Sequence, residues 1–265
     1  MTTRLTETGW ENVETVELLG TWTNQVDLVD EGDEIIVDSD VTANTLAGAD
    51  TIFGLNSINN QGTIDTGDGN DTISSGGIGG SLINEGTIDT GDGNDIISAG
   101  GRDESLVNEG TIKTGFGNDA ISGSTGGVGI TNSGLIDTGD GHDTITGSGL
   151  NPQTISIGID NDGTIKTGNG RDTVDALTGG FSGDGTINLG DGDDLIRGFG
   201  NQIVDGGRGF DTAQFDFISD EVDISIISDN SLVLAKSSEE MTFTNVELFE
   251  FSDVSFSFSQ IDFDY

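Results

Sequence analysis

The phrase Thr66-Gly-Asp-Gly-Asn-Asp-Thr-Ile73 returns with small changes at 90–97, 114–121, 138–145, 167–174 and 189–196, and more faintly at 206–213. Its leading glycines are Gly67, Gly91, Gly115, Gly139, Gly168, Gly190 and Gly207, so successive copies lie 24, 24, 24, 29, 22 and 17 residues apart. A period of this size marks a solenoid, in which no unit buries its own apolar side and each must stack on the next. Between copies the apolar residues alternate with polar ones, the period-two pattern of strands. Three columns emerge: Ile64, Ile88, Ile112, Ile136, Ile165 and Ile187; Ile73, Ile97, Ile121, Ile145, Val174 and Ile196; and Ile58, Leu82, Leu106, Ile130 and Ile159. Three columns predict three short parallel strands per coil of about 24 residues, in an all-β parallel β-solenoid (β-roll or β-helix).

The phrase also carries chemistry. A second glycine follows the first after one residue, at Gly69, Gly93, Gly117, Gly141, Gly170, Gly192 and Gly209. Two residues later stands an aspartate: Asp71, Asp95, Asp119, Asp143, Asp172, Asp194 and Asp211. Paired glycines let the backbone take positive φ and turn its carbonyls inward, and the aspartate adds a carboxylate. These are oxygen ligands only, the set that suits calcium at about 2.3–2.6 Å, with no nitrogen or sulfur to select zinc or copper.

The pattern resembles the RTX (repeats-in-toxin) family of secreted proteins, whose Gly-Gly-x-Gly-x-Asp-x-apolar-x nonapeptide builds a calcium-bound parallel β-roll. The resemblance implies several calcium ions, each between loops of successive coils and held by loop carbonyls and the motif aspartate. In all copies but the last, the family's first glycine is replaced, by Thr66, Thr90, Thr114, Thr138, Thr167 and Leu189, and survives only as Gly206. The longer period leaves room for the third strand and implies ions along one edge rather than two. The stretch Thr244-Asn-Val-Glu-Leu-Phe-Glu-Phe-Ser-Asp253 is similar to the segment common at the C-terminal end of RTX proteins, a region that closes the roll and holds an uncleaved type I secretion signal. The resemblance therefore implies a secreted, extracellular or cell-surface protein.

Charge bears on the metal directly. The chain has 48 acidic and 8 basic residues, a net charge of −40. Stacking would place equivalent aspartates about 4.8 Å apart, a repulsion of about 3 kcal/mol per adjacent pair at an effective dielectric near 20. Divalent cations between them reverse that sign, so folding is expected to follow calcium. The same charge argues against nucleic acid as a partner. There are no cysteines for disulfides or thiolate chemistry, no apolar run of transmembrane length, and none near the N-terminus that would serve as a cleaved signal peptide.

Asn60, Asn84, Asn108, Asn132 and Asn161 each stand two residues before a glycine, Gly62, Gly86, Gly110, Gly134 and Gly163. This corner suits an asparagine ladder, because the side chain tolerates the bend and stacked amides bond along the axis. The spacing of 29 points to a loop bulging near residues 147–154, around the single proline, Pro152. Residues 1–43, with Trp10 and Trp22 and the echo Glu31-Gly-Asp-Glu-Ile-Ile36, are expected to form an N-terminal cap and degenerate first coil. Ala47-Gly-Ala-Asp-Thr-Ile52 is a second partial copy. The calcium-binding solenoid is expected over 44–214, and a C-terminal β cap with the export signal over 215–265.

A non-enzymatic protein is expected, with no catalytic residues. The histidine His142 fills a variable loop position held elsewhere by Asn70, Asn94, Asn118 and Arg171, and reads as a solvated loop residue. Aspartate pairs such as Asp68 and Asp71 resemble a glycosidase pair, but recur coil after coil. The expected role is a rigid acidic rod, structural or adhesive, with self-assembly or cell-surface polysaccharide as partner. The alternatives are a polysaccharide-acting β-helix enzyme and a calcium-dependent ice-binding module. Against the latter, charges at Asp65, Asp89, Lys113, Asp137 and Lys166 interrupt the file beside Thr63, Thr87, Thr111, Leu135 and Thr164.

Overall fold

The computed structural model describes residues 47–260 except 55–56, 77–79, 102–103 and 150–155, together with the backbone of five short strands between residues 2 and 44. Each regular coil contributes one strand to each of three sheets. In one coil these are Leu82–Asn84, Thr87–Asp89 and Ile96–Ala99. We call the corresponding sheets I, II and III. Neighbouring coils pair in parallel with equivalent repeat positions opposite one another: Ile88 faces Ile64 and Ile112, Ile97 faces Ile73 and Ile121, and Leu82 faces Ile58 and Leu106. The fold is a parallel β-solenoid.

All three apolar columns point inward and are at most 1% exposed. Burying an isoleucine fully contributes about 1.5–3 kcal/mol, and the columns form one continuous core along the axis. Parallel pairing follows from the repeat, since in-register stacking lays like side chains on like without a register slip that would turn the isoleucines outward.

The corner between sheets I and II is the asparagine ladder. Asn60 Nδ2 donates to Asn84 Oδ1 at 2.7 Å, Asn84 to Asn108 at 2.8 Å, Asn108 to Asn132 at 2.8 Å and Asn132 to Asn161 at 2.8 Å. Asn161 passes the bond to Gln202 Oε1, which ends the file. The same Nδ2 groups also donate to main-chain carbonyls of the next coil, Asn108 to Leu135 O at 3.0 Å. Replacing Asn108 with Ala removes the donor to Asn132 and the acceptor for Asn84, both buried. We expect a loss of about 2–3 kcal/mol, measurable as a lowered denaturant midpoint in calcium; an unchanged midpoint would make the ladder decorative.

Variation in repeat length is confined to the return from sheet III to sheet I. Gly147 and Gly149, expected in a bulging loop, instead lie in the strand Thr144–Gly149, paired with Ala120–Thr125. A Cβ on Gly147 would lie 2.2 Å from the Gly158 carbonyl, so sheets III and I touch here through glycine backbone. The rest of that loop, with Pro152, lies outside the described residues. The spacing of 17 arises because one coil has two strands, not three: after Leu195–Arg197 the chain enters sheet II directly as Gln202–Asp205. Phe199 takes the missing strand's place, its carbonyl accepting the Phe181 N–H at 2.9 Å.

At the N-terminal end, strands Thr15–Leu18 and Glu34–Val37 extend sheet I in parallel to Ser57–Asn60, and Thr42–Asn44 extends sheet II. Trp10 lies outside the described residues. At the other end the pairing turns antiparallel. Glu239–Thr244 continues sheet II beside Gln202–Asp205, and Ser231–Lys236 and Asp223–Ser228 fold back on it. Leu248–Glu250 continues sheet III and pairs antiparallel with Ser255–Ser257. The segment 239–257 is therefore shared between two sheets. Seven phenylalanines, Phe199, Phe215, Phe217, Phe243, Phe249, Phe251 and Phe256, pack beneath with ring centroids 4.9–6.1 Å apart. No helix among the described residues is long and apolar enough to cross a membrane.

Candidate metal centre

The loops joining sheet II to sheet III stack in register, and their aspartates form a second ladder inside the protein. Asp71, Asp95, Asp119, Asp143, Asp172, Asp194 and Asp211 are at most 2% exposed. Each Oδ1 accepts the main-chain N–H of the equivalent aspartate one coil earlier. Asp71 donates to Asp95 at 2.8 Å, Asp95 to Asp119 at 2.8 Å, Asp119 to Asp143 at 2.8 Å, Asp143 to Asp172 at 2.8 Å, Asp172 to Asp194 at 2.7 Å and Asp194 to Asp211 at 2.9 Å. The other oxygen, Oδ2, is buried and accepts no hydrogen bond in any of the seven.

Such oxygens are costly, because a carboxylate removed from water with half its lone pairs unused resists ionisation. Burial pushes Asp71 above its ordinary 3.8 and carries Asp95, Asp119, Asp143, Asp172 and Asp211 to about 6 and Asp194 to about 7. Neighbouring rungs add repulsion, as Asp143 does for Asp119. The accepted N–H and, in the first five, the threonine that opens the loop pull the other way. That threonine stands where the RTX glycine would be, and it too is buried. Thr114 Oγ1 donates to Thr138 O at 3.1 Å and Thr167 Oγ1 to Leu189 O at 2.7 Å.

The loop glycines are required by close approach as much as by conformation. Gly91 has φ +83° and Gly93 +150°, and a Cβ on Gly93 would sit 1.4 Å from the Gly69 carbonyl oxygen. Gly69, Gly117, Gly141, Gly170, Gly192 and Gly209 meet the carbonyl of the coil before at 1.4–1.6 Å in the same sense, and Gly67, Gly115, Gly139, Gly168, Gly190 and Gly207 share the first position. The loops thus lay carbonyl oxygens in a file beside the carboxylates. Among the described residues no three His, Cys, Asp or Glu side chains converge on one point. A cation here would draw on unpartnered Oδ2 atoms and loop carbonyls, which is hard-cation chemistry.

Two features of this edge escaped the sequence reading. Asp50 is a further rung: its N–H donates to Asp71 Oδ1 at 2.8 Å, and its own Oδ2 is buried without a partner. It stands before Thr51-Ile52 as Asp71 stands before Thr72-Ile73, a signal present in the partial copy at 47–52. Secondly, the residue before each aspartate forms an exposed outer ladder. Asn70 Oδ1 accepts the Asn94 N–H, Asn94 Oδ1 that of Asn118, and Asn118 Oδ1 that of His142, at 2.7–2.8 Å. His142 Nδ1 in turn accepts the Arg171 N–H at 2.8 Å, so this exposed histidine is a rung as well as a solvated residue. Phe116, which the sequence already places between the loop glycines in the file of Asp68, Asp92 and Asp140, is 61% exposed.

No family model and no curated protein matches the chain. Among solved structures it is similar to a hyperactive, Ca2+-dependent, β-helical antifreeze protein from an Antarctic bacterium, at 19% identity and a TM-score of 0.41, covering 94% of this chain and 84% of that one.

Proposed function

We propose that the chain is a secreted, non-catalytic, RTX-like solenoid that folds on calcium and serves as a rigid structural or adhesive element at a cell surface or in an extracellular matrix. One observation carries the calcium: eight aspartates, Asp50 through Asp211, present buried Oδ2 atoms with no partner, in a file lined with loop carbonyls. Ions held there would take their charge from the carboxylates and relieve the repulsion between rungs. The chain's own part is to fix Oδ1 through the N–H ladder and leave Oδ2 available. The rod-like role draws on the repetitive acidic surface; export draws on the tail's resemblance and would be seen as the protein accumulating outside producing cells.

Asp119→Asn tests the calcium reading by opposite signs. Asparagine keeps an acceptor for the Asp95 N–H and removes the charge. With calcium present the variant should be less stable than the parent and bind more weakly; in chelator it should be more stable, because a carboxylate ionised at cost is gone. A merely structural aspartate would lose stability in both conditions, and that result would overturn the reading.

A second reading, calcium-dependent ice binding, is favoured by sheet III. After Thr51 and Phe53, its outward residues run Thr72 and Ser74, Ile96 and Ser98, Ala120 and Ser122, Thr144 and Thr146, then Thr173. In a chain of net charge −40 this run carries no charge until Asp175, which pairs with Arg197 at 2.7 Å. A neutral face rich in hydroxyls suits an ordered, uncharged lattice. Ice-recrystallisation inhibition in calcium, abolished by Thr144→Lys, would establish it; no inhibition by the calcium-loaded parent would dismiss it.

A further inference from the structure

We infer that Glu247 is the last rung of the aspartate ladder and that a terminal cation site, built differently from the interior ones, lies between Asp211 and Glu247. The inference rests on the calcium reading above. The hydrogen bond that links every rung to the next is repeated here with a different residue: the Asp211 N–H donates to Glu247 Oε2 at 2.8 Å, as the Asp194 N–H does to Asp211 Oδ1. The main chain agrees, because Leu248 N donates to Asp211 O at 3.0 Å just as Thr212 N does to Asp194 O at 2.9 Å. Ala213 faces Phe249 across the parallel pair. Glu247 therefore stands where a motif aspartate would, although no Gly-x-Gly precedes it.

What replaces the glycine loop is a three-residue turn, Asn245-Val246-Glu247, between Glu239–Thr244 and Leu248–Glu250. Asn245 takes φ +52°, accepts a hydrogen bond from Asn230 Nδ2 and donates one to Asp205 Oδ1 at 2.8 Å. Being short, this turn does not cover the last glycine loop as a full loop would. A cleft of about 410 Å³ opens there, lined by Phe210, Asn230, Asn245, Glu247, Ser257 and Phe258. Asp211 is fully buried and its Oδ2 has no partner. A Cβ on Gly206 would lie 2.5 Å from that oxygen, so only glycine leaves room beside it. Two further carboxylates flank the pair: Asp205 is tied to the turn by Asn245, and Asp193 Oδ1 accepts the Phe210 N–H at 2.9 Å.

The ligand class is a hard divalent cation, calcium first, held by more carboxylate charge and more water than an interior ion. Site affinity rises with the charge of the ligand set, so this position should fill at a different calcium concentration from the rest. An ion there would tie the last glycine loop to the two strands that close sheets II and III, making closure of the C-terminal cap calcium-dependent. It also assigns a job within the fold to the Asn-Val-Glu of residues 245–247.

The test compares the full chain with Glu247→Gln, which keeps an acceptor for the Asp211 N–H, by calorimetric calcium titration and hydrogen exchange. The variant should lose one calcium equivalent, or bind it about tenfold or more weakly, and lose calcium-dependent protection over residues 239–250 while 87–145 stay protected. Asp205→Asn, outside the ladder, should weaken the same equivalent. If Glu247→Gln binds as many ions with the same midpoints and its cap is equally protected, Glu247 is a hydrogen-bond acceptor and the terminal site does not exist. A parent chain that takes up no calcium would instead overturn the functional reading itself.

Discussion

With calcium chelated at about pH 7.5, the chain is expected to lose its β-sheet circular dichroism, and acidification to about pH 4 without any metal should restore much of it. The buried ladder sets the sign. A carboxylate whose folded pKa is raised keeps its proton in the folded state after the unfolded chain has released it, so stability falls as pH climbs from 3.8 through about 6, and to about 7 for Asp194. Above that window, each group moved from 3.8 to about 6 costs about 3 kcal/mol. Several such costs exceed the 5–15 kcal/mol that holds a typical domain together. Protons or calcium relieve the same penalty, so calcium affinity should also rise with pH across that range, with protons released on binding. Identical spectra in chelator and in calcium at neutral pH would show that the ladder tolerates its charge unaided.

Gly93→Ala should abolish calcium-induced folding at concentrations that fold the parent, whereas Gly100→Ala should be indistinguishable from it. The contrast is steric. A Cβ on Gly93 would stand 1.4 Å from the Gly69 carbonyl oxygen, in backbone of φ +150° that side chains rarely adopt, while one on Gly100 meets nothing within 4 Å. The first clash is with main chain on the preceding coil, so relieving it means unstacking two coils and separating their carboxylates. Strain at one special dihedral costs about 1–3 kcal/mol; displacement of the stack adds to it. Folding of both variants followed against calcium concentration gives the comparison, and a Gly93→Ala chain that folds normally would mean the loops are not in contact.

Much of the architecture was legible because a repeat turns local pattern into global geometry. Once the coil is 24 residues long, Ile64, Ile88 and Ile112 can only lie above one another, and Asn60, Asn84 and Asn108 with them, so columns and ladder follow from spacing and polarity. The motif aspartates were legible for the same reason. Their environment was not: that Oδ1 is spent on the neighbouring coil's N–H and Oδ2 is left bare depends on the stacking distance, which no single coil contains. Nor was the close approach behind the second glycines legible, because positive φ is a property of one residue whereas a carbonyl 1.4 Å from a would-be Cβ belongs to two coils.

The ends show the limit most clearly. Repetition and charge alone determined a three-columned parallel β-solenoid with a carboxylate at every turn of one edge. Where it stops was settled by folding, because Glu247 is a rung by position rather than by motif, and a chain direction reversed at Asp223–Ser228 and Ser231–Lys236 leaves no period to read. Folding also set the uncharged stretch of sheet III side by side, from Thr72 to Thr173, before Asp175 and Arg197 bring charge back to that face.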